Sequence, residues 1–202
     1  MSADGDRGNG AVESDRVGLL SAEAAAAAAV EVGIDPKYLT QPIWTMLLRR
    51  PKYARALYSV LTDLLFRNTL PERLRELLIM RIGWATNAEF EWAQHWKVAG
   101  QLGVPEADIL AVRDWSASDR FDPADRAALR AADEVIAEGV ISDETWAALG
   151  EHFGEEDLIE LVAVLATWYS VSIMVRSLHV PLDEGMQSWP PHGTAPASRR
   201  GD

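Results

Sequence analysis

Along almost the whole chain, apolar residues recur at spacings of three and four, a period that admits helices and little else. Alternating β-branched and aromatic runs bounded by turn residues, the mark of strands, are missing. Segments stop at Gly, Pro, or capping Ser and Asp. Ser21 is placed to cap an Ala-rich helix that ends at Gly33, and a further helix covers positions 41 to 49. Pro51 opens another, running to Arg67. Thr69 with Glu72, and Thr86 with Glu89, have the spacing of capping boxes; the helices they open run to Ala85 and Gly103. Pro105 begins a short helix, Asp122 with Pro123 starts one reaching Glu138, and Ser142 caps the next. A long helix follows Gly154, from Glu155 to Val180. No tandem repeat of fixed period interrupts this series, so the expected architecture is an all-α bundle.

A length of 202 residues suits one domain with a sizeable core. Residues 1 to about 16 are polar, Gly-rich and acidic and residues from about 187 to 202 are Pro-rich, so both ends read as mobile; the expected division is a flexible N-terminal extension with room for a short helix (1–35), a helical domain (36–186) and a disordered tail (187–202). With 31 Asp and Glu against 19 Lys and Arg, the net charge of -12 repels phosphate backbones and anionic lipid. Neither nucleic acid nor membrane is therefore an expected partner. The longest apolar run, Leu161 to Val175, falls short of the roughly 20 residues that span a bilayer and reads as a buried core helix. The first ten residues are acidic where a secretion signal is basic and then apolar, so the expected location is cytoplasmic. Cysteine is absent, which removes disulfides, thiolate metal sites and thiol nucleophiles together.

Charge sits where solubility does not require it. Wound as a helix, residues 88–102 place Ala88, Glu91, Trp92, His95, Ala99 and Leu102 on one stripe, while Glu89, Gln94, Lys97 and Gln101 already supply a polar face. Glu91 and His95, at i and i+4, are spaced to hydrogen-bond, which would fix one imidazole tautomer and raise its basicity. The preceding helix is apolar all round from Leu77 to Ala85, yet carries Glu76 and Arg81 on opposite sides. A buried charge needs a partner, and Glu76 can reach His95 across a tight helical hairpin. The last helix adds Trp168, Tyr169, Arg176 and His179.

These residues have structural readings too. Glu76, Glu91 and His95 fit either an acid/base site or a satisfied polar network in the core. Arg81 reads as an ion-pair member, Glu89 as a capping residue, and Trp84, Trp92, Trp96 and Trp168 as core or subunit contacts. His152 reads as surface. One His with two acids is a weak zinc signal, so no metal is expected. GxGxxG, GxxxxGK[ST], GxSxG and HExxH motifs do not occur.

The segment LPERLRELLIMRIGWATNAEFEWAQH (Leu70 to His95), with the helix end Ala99-Gly100 and Leu102-Gly103, resembles the carboxymuconolactone decarboxylase family, whose superfamily includes the AhpD-type alkyl hydroperoxidases. VPLDEG (Val180 to Gly185) resembles a closing segment of one branch of uncharacterised members, and the similarity covers about 36–186. The resemblance implies an AhpD-like helical bundle around a central helical hairpin, assembled as trimers or hexamers. In the peroxidase branch a glutamate, a CxxC pair and a histidine form a proton relay. On this chain the glutamate position falls on Glu76, the histidine on His95, and the two cysteine positions on Ala88 and Glu91. Thiol peroxidase chemistry is excluded without cysteine. The non-redox branch is then implied: a cofactor-free lyase that decarboxylates a carboxylated muconolactone in aromatic catabolism, or a related lactone hydrolase or isomerase. In that reading His95 supplies a proton, Glu91 or Glu76 orients it, Arg81 or Arg176 holds an anionic substrate, and Trp92 and Tyr169 exclude water. The alternative is a non-enzymatic helical oligomer that binds a hydrophobic small molecule or a partner protein.

Overall fold

A computed structural model describes residues 16–197, and among these the chain is helical with no strand. Nine α-helices follow in order: α1 (Ala22–Val32), α2 (Pro42–Leu47), α3 (Pro51–Phe66), α4 (Glu72–Ala85), α5 (Glu89–Gln101), α6 (Glu106–Ala111), α7 (Pro123–Glu138), α8 (Asp143–Gly150) and α9 (Glu155–Ser177). Side-chain caps fix the starts of α1, α7 and α8. Ser21 Oγ accepts from Ala24 N–H, Asp122 Oδ1 from Asp125 N–H at 2.8 Å, and Ser142 Oγ from Thr145 N–H. Gly33, at φ +68°, ends α1 in the left-handed conformation that glycine adopts without steric cost.

Neither expected capping box forms. Thr69 sits three residues before α4 and turns outward to α9, where its hydroxyl donates to Asp157 and its backbone N–H donates to Glu160. Thr86 ends α4 instead of opening α5, and its hydroxyl donates back to Ile82 O at 2.7 Å. Asn87 then takes φ +59°, while Ala88 N–H bonds Gly83 O and Asn87 N–H bonds Trp84 O. This is the Schellman pattern with Asn in the glycine position, and it folds α5 straight back along α4.

Helix α4 is the axis of the fold. Leu77, Leu78, Ile79 and Met80 are all fully buried, and the helix packs on α5, α7 and α9. A second apolar cluster joins α1, α2 and α3 to one side of α9 through Ala25, Ala29, Trp44, Leu48, Ala54, Val171 and Val175. By length and composition α9 could cross a membrane, with a mean hydropathy of 1.9 in its most apolar stretch, and at 23 residues it exceeds the apolar run read from sequence. In this fold it lies against α3, α4, α5, α7 and α8.

Both ends correct the expected domain limits. Residues 16–35 are not a loose extension: Ala25 and Ala29 are fully buried, and α1 packs on α3. Arg49 Nε–H donates to Gly18 O at 2.6 Å, and Leu20 N–H to Thr45 O. Alanine's small side chain, which weakens the apolar signal, is what lets α1 lie so close. The C-terminal segment is anchored at Trp189 and Pro190: Trp189 is buried against Trp84 and Trp92, and Trp92 Nε1–H donates to Pro190 O at 2.8 Å. The remainder of both expected segments, 1–15 and 198–202, lies outside the described residues.

Gly83 is where α4 and α5 touch most closely. A Cβ there would stand 3.2 Å from Trp92 N, a backbone atom that cannot swing away. Gly83→Ala should therefore destabilise the protein by about 1–3 kcal/mol in denaturant unfolding. Gly100→Ala, where a Cβ meets nothing within 4 Å, should be neutral or stabilise by up to about 1 kcal/mol. Equal effects of the two substitutions would refute the close approach.

Candidate functional site

The hairpin brings Glu76 on α4 beneath His95 on α5, and the two meet: His95 Nδ1 lies 2.7 Å from Glu76 Oε2. The other carboxylate oxygen, Oε1, accepts from Arg75 Nε–H at 3.0 Å. Arg75 is only 2% exposed and Glu76 is fully buried, so this is an ion pair inside the core. Arg75 also donates to Leu65 O and Asn68 Oδ1. Burial alone would raise the Glu76 pKa, but His95 and Arg75 together outweigh it and hold the carboxyl below its ordinary value.

From α9, Trp168 Nε1–H donates to His95 Nε2 at 3.0 Å. An indole nitrogen only donates, so Nε2 is an unprotonated acceptor and the ring proton sits on Nδ1, donating to Glu76. The chain Arg75, Glu76, His95, Trp168 thus carries one positive charge, one negative charge and a neutral imidazole.

Glu91 does not join that chain, contrary to the i, i+4 expectation. Its Oε1 accepts from Ser172 Oγ–H on α9 at 2.8 Å, and its Oε2, fully enclosed, has no partner among the described residues. Burial pushes its pKa well above the carboxylate range, with the Ser172 bond a smaller opposing effect, and so favours the neutral acid. Unlike Glu76, Glu91 faces no cation among the described residues, which is why two glutamates one helix apart move in opposite directions.

Glu91, His95, Arg75 and Trp168 all line a cavity of about 330 Å³. Its walls are otherwise mainly apolar and aromatic, including Tyr38, Trp44, Tyr58, Leu61 and Val171. Arg75 is the single Lys or Arg in that lining, and Glu76 already pairs with it.

The residues expected to bind substrate lie elsewhere. Arg81 follows Glu76 by five positions, about 140° around the helix, and so points to the opposite side of α4. There it grips Asp133 with two bonds of 2.6 and 2.9 Å and donates to Val112 O and Arg113 O. Arg81, Tyr169 and Arg176 line a separate cavity of about 670 Å³ that shares no residue with the first. Trp92 is fully buried and lines neither. Glu89 accepts from Ser188 Oγ–H instead of capping α5. The described residues hold no cluster of three or more His, Asp or Glu arranged for a metal ion. Sequence reasoning overlooked Arg75 and Ser172. Signals existed: Arg75 adjoins the buried Glu76, and Ser172 falls one turn beyond Trp168 on the same face of α9.

Residues 51–134 match the carboxymuconolactone decarboxylase family. The chain is 25% identical over 112 residues to the uncharacterized protein YdfG of Bacillus subtilis (strain 168), spanning 53% of this chain and 76% of that one. The alkylhydroperoxidase AhpD core of an uncharacterized peroxidase-related protein from Ralstonia eutropha JMP134 superposes with a TM-score of 0.66 at 17% identity, covering 87% of this chain and 92% of that one. A variant of the debrominase Bmp8 in complex with 2,3,4-tribromopyrrole superposes with a TM-score of 0.68 at 19% identity, covering 87% and 95%. These structural likenesses establish an AhpD-like fold.

The Glu91 environment has a pH consequence. Above the ordinary glutamate value of about 4.5 the unfolded chain releases a proton that the folded chain retains, so this group makes stability fall as pH rises toward its folded-state value. Glu91→Gln removes that dependence. Its melting temperature relative to the parent should rise as pH rises above about 5, levelling off only once the folded-state value is passed, and a flat difference would contradict the neutral buried acid.

Proposed function

We propose that this chain, a carboxymuconolactone decarboxylase family protein over residues 51–134 with an AhpD-like fold, is a cofactor-free lyase for a small unsaturated lactone bearing a carboxylate. The observation that carries the reading is Glu91: a buried carboxyl, favoured as the neutral acid, with one oxygen unpartnered, beside the Glu76–His95 pair on one apolar cavity. Loss of carbon dioxide converts a charged carboxylate into a neutral product, so walls without a spare cation favour departure over retention. The electron pair of the broken carbon–carbon bond moves into the conjugated lactone carbonyl as an extended enolate. Glu91 delivers its proton to carbon, which balances charge and completes the product. To reset the site, His95 Nε2 exchanges the Trp168 N–H for water, takes up a proton from solvent to become imidazolium, and passes that proton to the Glu91 carboxylate, which restores both the neutral imidazole and the neutral acid.

Disulfide-based peroxide reduction is closed to a chain without cysteine. A second reading draws on the hydrogen-bonded completeness of Arg75, Glu76, His95 and Trp168, which suits a structural network around a cavity that binds a neutral ring. The debrominase structure similar in fold holds a small planar pyrrole, the size of ligand this reading invokes.

Carbon dioxide release and ultraviolet absorbance with 4-carboxymuconolactone decide between them. Turnover should fall by about 10²–10⁴-fold in both His95→Ala and Glu91→Gln. Full activity in either variant overturns the acid/base assignment, and tryptophan fluorescence changes without turnover by the parent protein favour the binding cavity. We also propose self-association, because α9 leaves Ile159 at 72% and Val162 at 38% exposure. Light scattering at micromolar concentration should give a multiple of 22.2 kDa, and a monomeric mass would refute it.

A further inference from the structure

The cleft of about 670 Å³ lies between the end of α4, the turn after it, α7, α9 and the segment beyond α6. Its lining includes Arg81, Arg113 and Arg176 and no Asp or Glu. In a chain with 31 acidic residues and a net charge of -12, that concentration of cations in one concavity runs against the overall field.

Arg81 is committed to Asp133. The other two have no carboxylate at ion-pair distance among the described residues. Arg113 lies over Trp84 and Trp92, its guanidinium carbon 4.4 and 4.8 Å from the ring centres. Its Nε is enclosed with no hydrogen-bond partner, and its NH2 reaches Pro190 O only at 3.4 Å. Burial also lowers the Arg113 pKa, the sign of a charge that lacks compensation. Such a cation, partly desolvated and fixed in orientation by two indoles, gains more from an arriving anion than a fully hydrated surface arginine does. The remaining walls are flat or apolar: Trp84, Ile136, Tyr169 and Ile173.

We propose that this cleft binds a small planar organic acid, its carboxylate taken by Arg113 and Arg176 and its ring lying among Trp84, Tyr169 and Ile173. Aromatic and aliphatic walls beside the arginines select a carboxylate on an unsaturated or aromatic ring over an inorganic oxyanion, which would leave those walls facing water. The site is distinct from the His95 cavity and stands whether or not that cavity catalyses decarboxylation.

The test is isothermal titration of the full chain with benzoate and, separately, inorganic phosphate at low ionic strength. Benzoate should bind at one site per chain, more tightly than phosphate. Its Kd should rise at least tenfold in Arg113→Gln and in Arg176→Gln, stay within a few-fold in Arg176→Lys, and not change in His95→Ala. Circular dichroism monitors folding; if Arg113→Gln unfolds, the two Arg176 variants decide. Three results overturn the proposal: no heat with either anion at millimolar concentration, phosphate binding as tightly as benzoate, or benzoate binding lost in His95→Ala but kept in both glutamine variants.

Discussion

One buried carboxylate organises the centre of this molecule. Glu76 has no exposure to water, yet stays charged because Arg75 donates to one oxygen and His95 to the other. Removing either partner would strand a charge in the core, a defect that costs about 3–5 kcal/mol. Glu76 thereby fixes more than itself. It holds the imidazole with its proton on Nδ1, which leaves Nε2 to accept from Trp168 and so ties α9 to the α4–α5 hairpin at the same point. Three helices share one hydrogen-bonded chain, and the cavity opens beside it.

The geometry that permits this is set by backbone. Asn87 in the left-handed region turns α5 through a tight reversal, and Gly83, lacking a side chain, lets Trp92 backbone press against α4. A wider separation would leave His95 out of reach of Glu76. It would also loosen the enclosure of Glu91, whose Oε1 would lie 3.6 Å from a Cβ placed at position 83. Tight packing, not a nearby charge, is what favours the neutral form of Glu91.

Legibility followed the kind of signal involved. Helical periodicity is local, and the helices, most of their caps and the burial of Glu76, Glu91 and His95 could all be read from residue types alone. The Glu76–His95 contact was also legible, because a short connection between two helices leaves few ways for them to meet. Partner choice was not. Glu91 and His95 have the right spacing to bond, but each finds a partner on α9, 81 and 73 positions away, and local spacing carries no knowledge of that helix. The capping boxes failed for a related reason: Thr69 is captured by acids of α9, and Thr86 by the carbonyl one turn behind it. Composition misled at the ends, where alanines and prolines look weakly structured although Ala25, Ala29 and Trp189 pack into the fold.

The arginines separate two electrostatic regimes within one small chain. On the His95 side the single guanidinium of the lining is neutralised by Glu76 and Glu91 is favoured in its neutral form, so the only other ionisable carboxyl in that lining is Glu72 and no cation is left over for a ligand. Across α4, Arg113 and Arg176 stand without carboxylate partners among the described residues, beside aromatic walls. The 140° or so that separates positions 76 and 81 on a helix is enough to place these environments back to back. The buried stretch of α4 from Leu77 to Met80 separates the two cavities, which share no lining residue, so a ligand in one does not touch the groups that line the other.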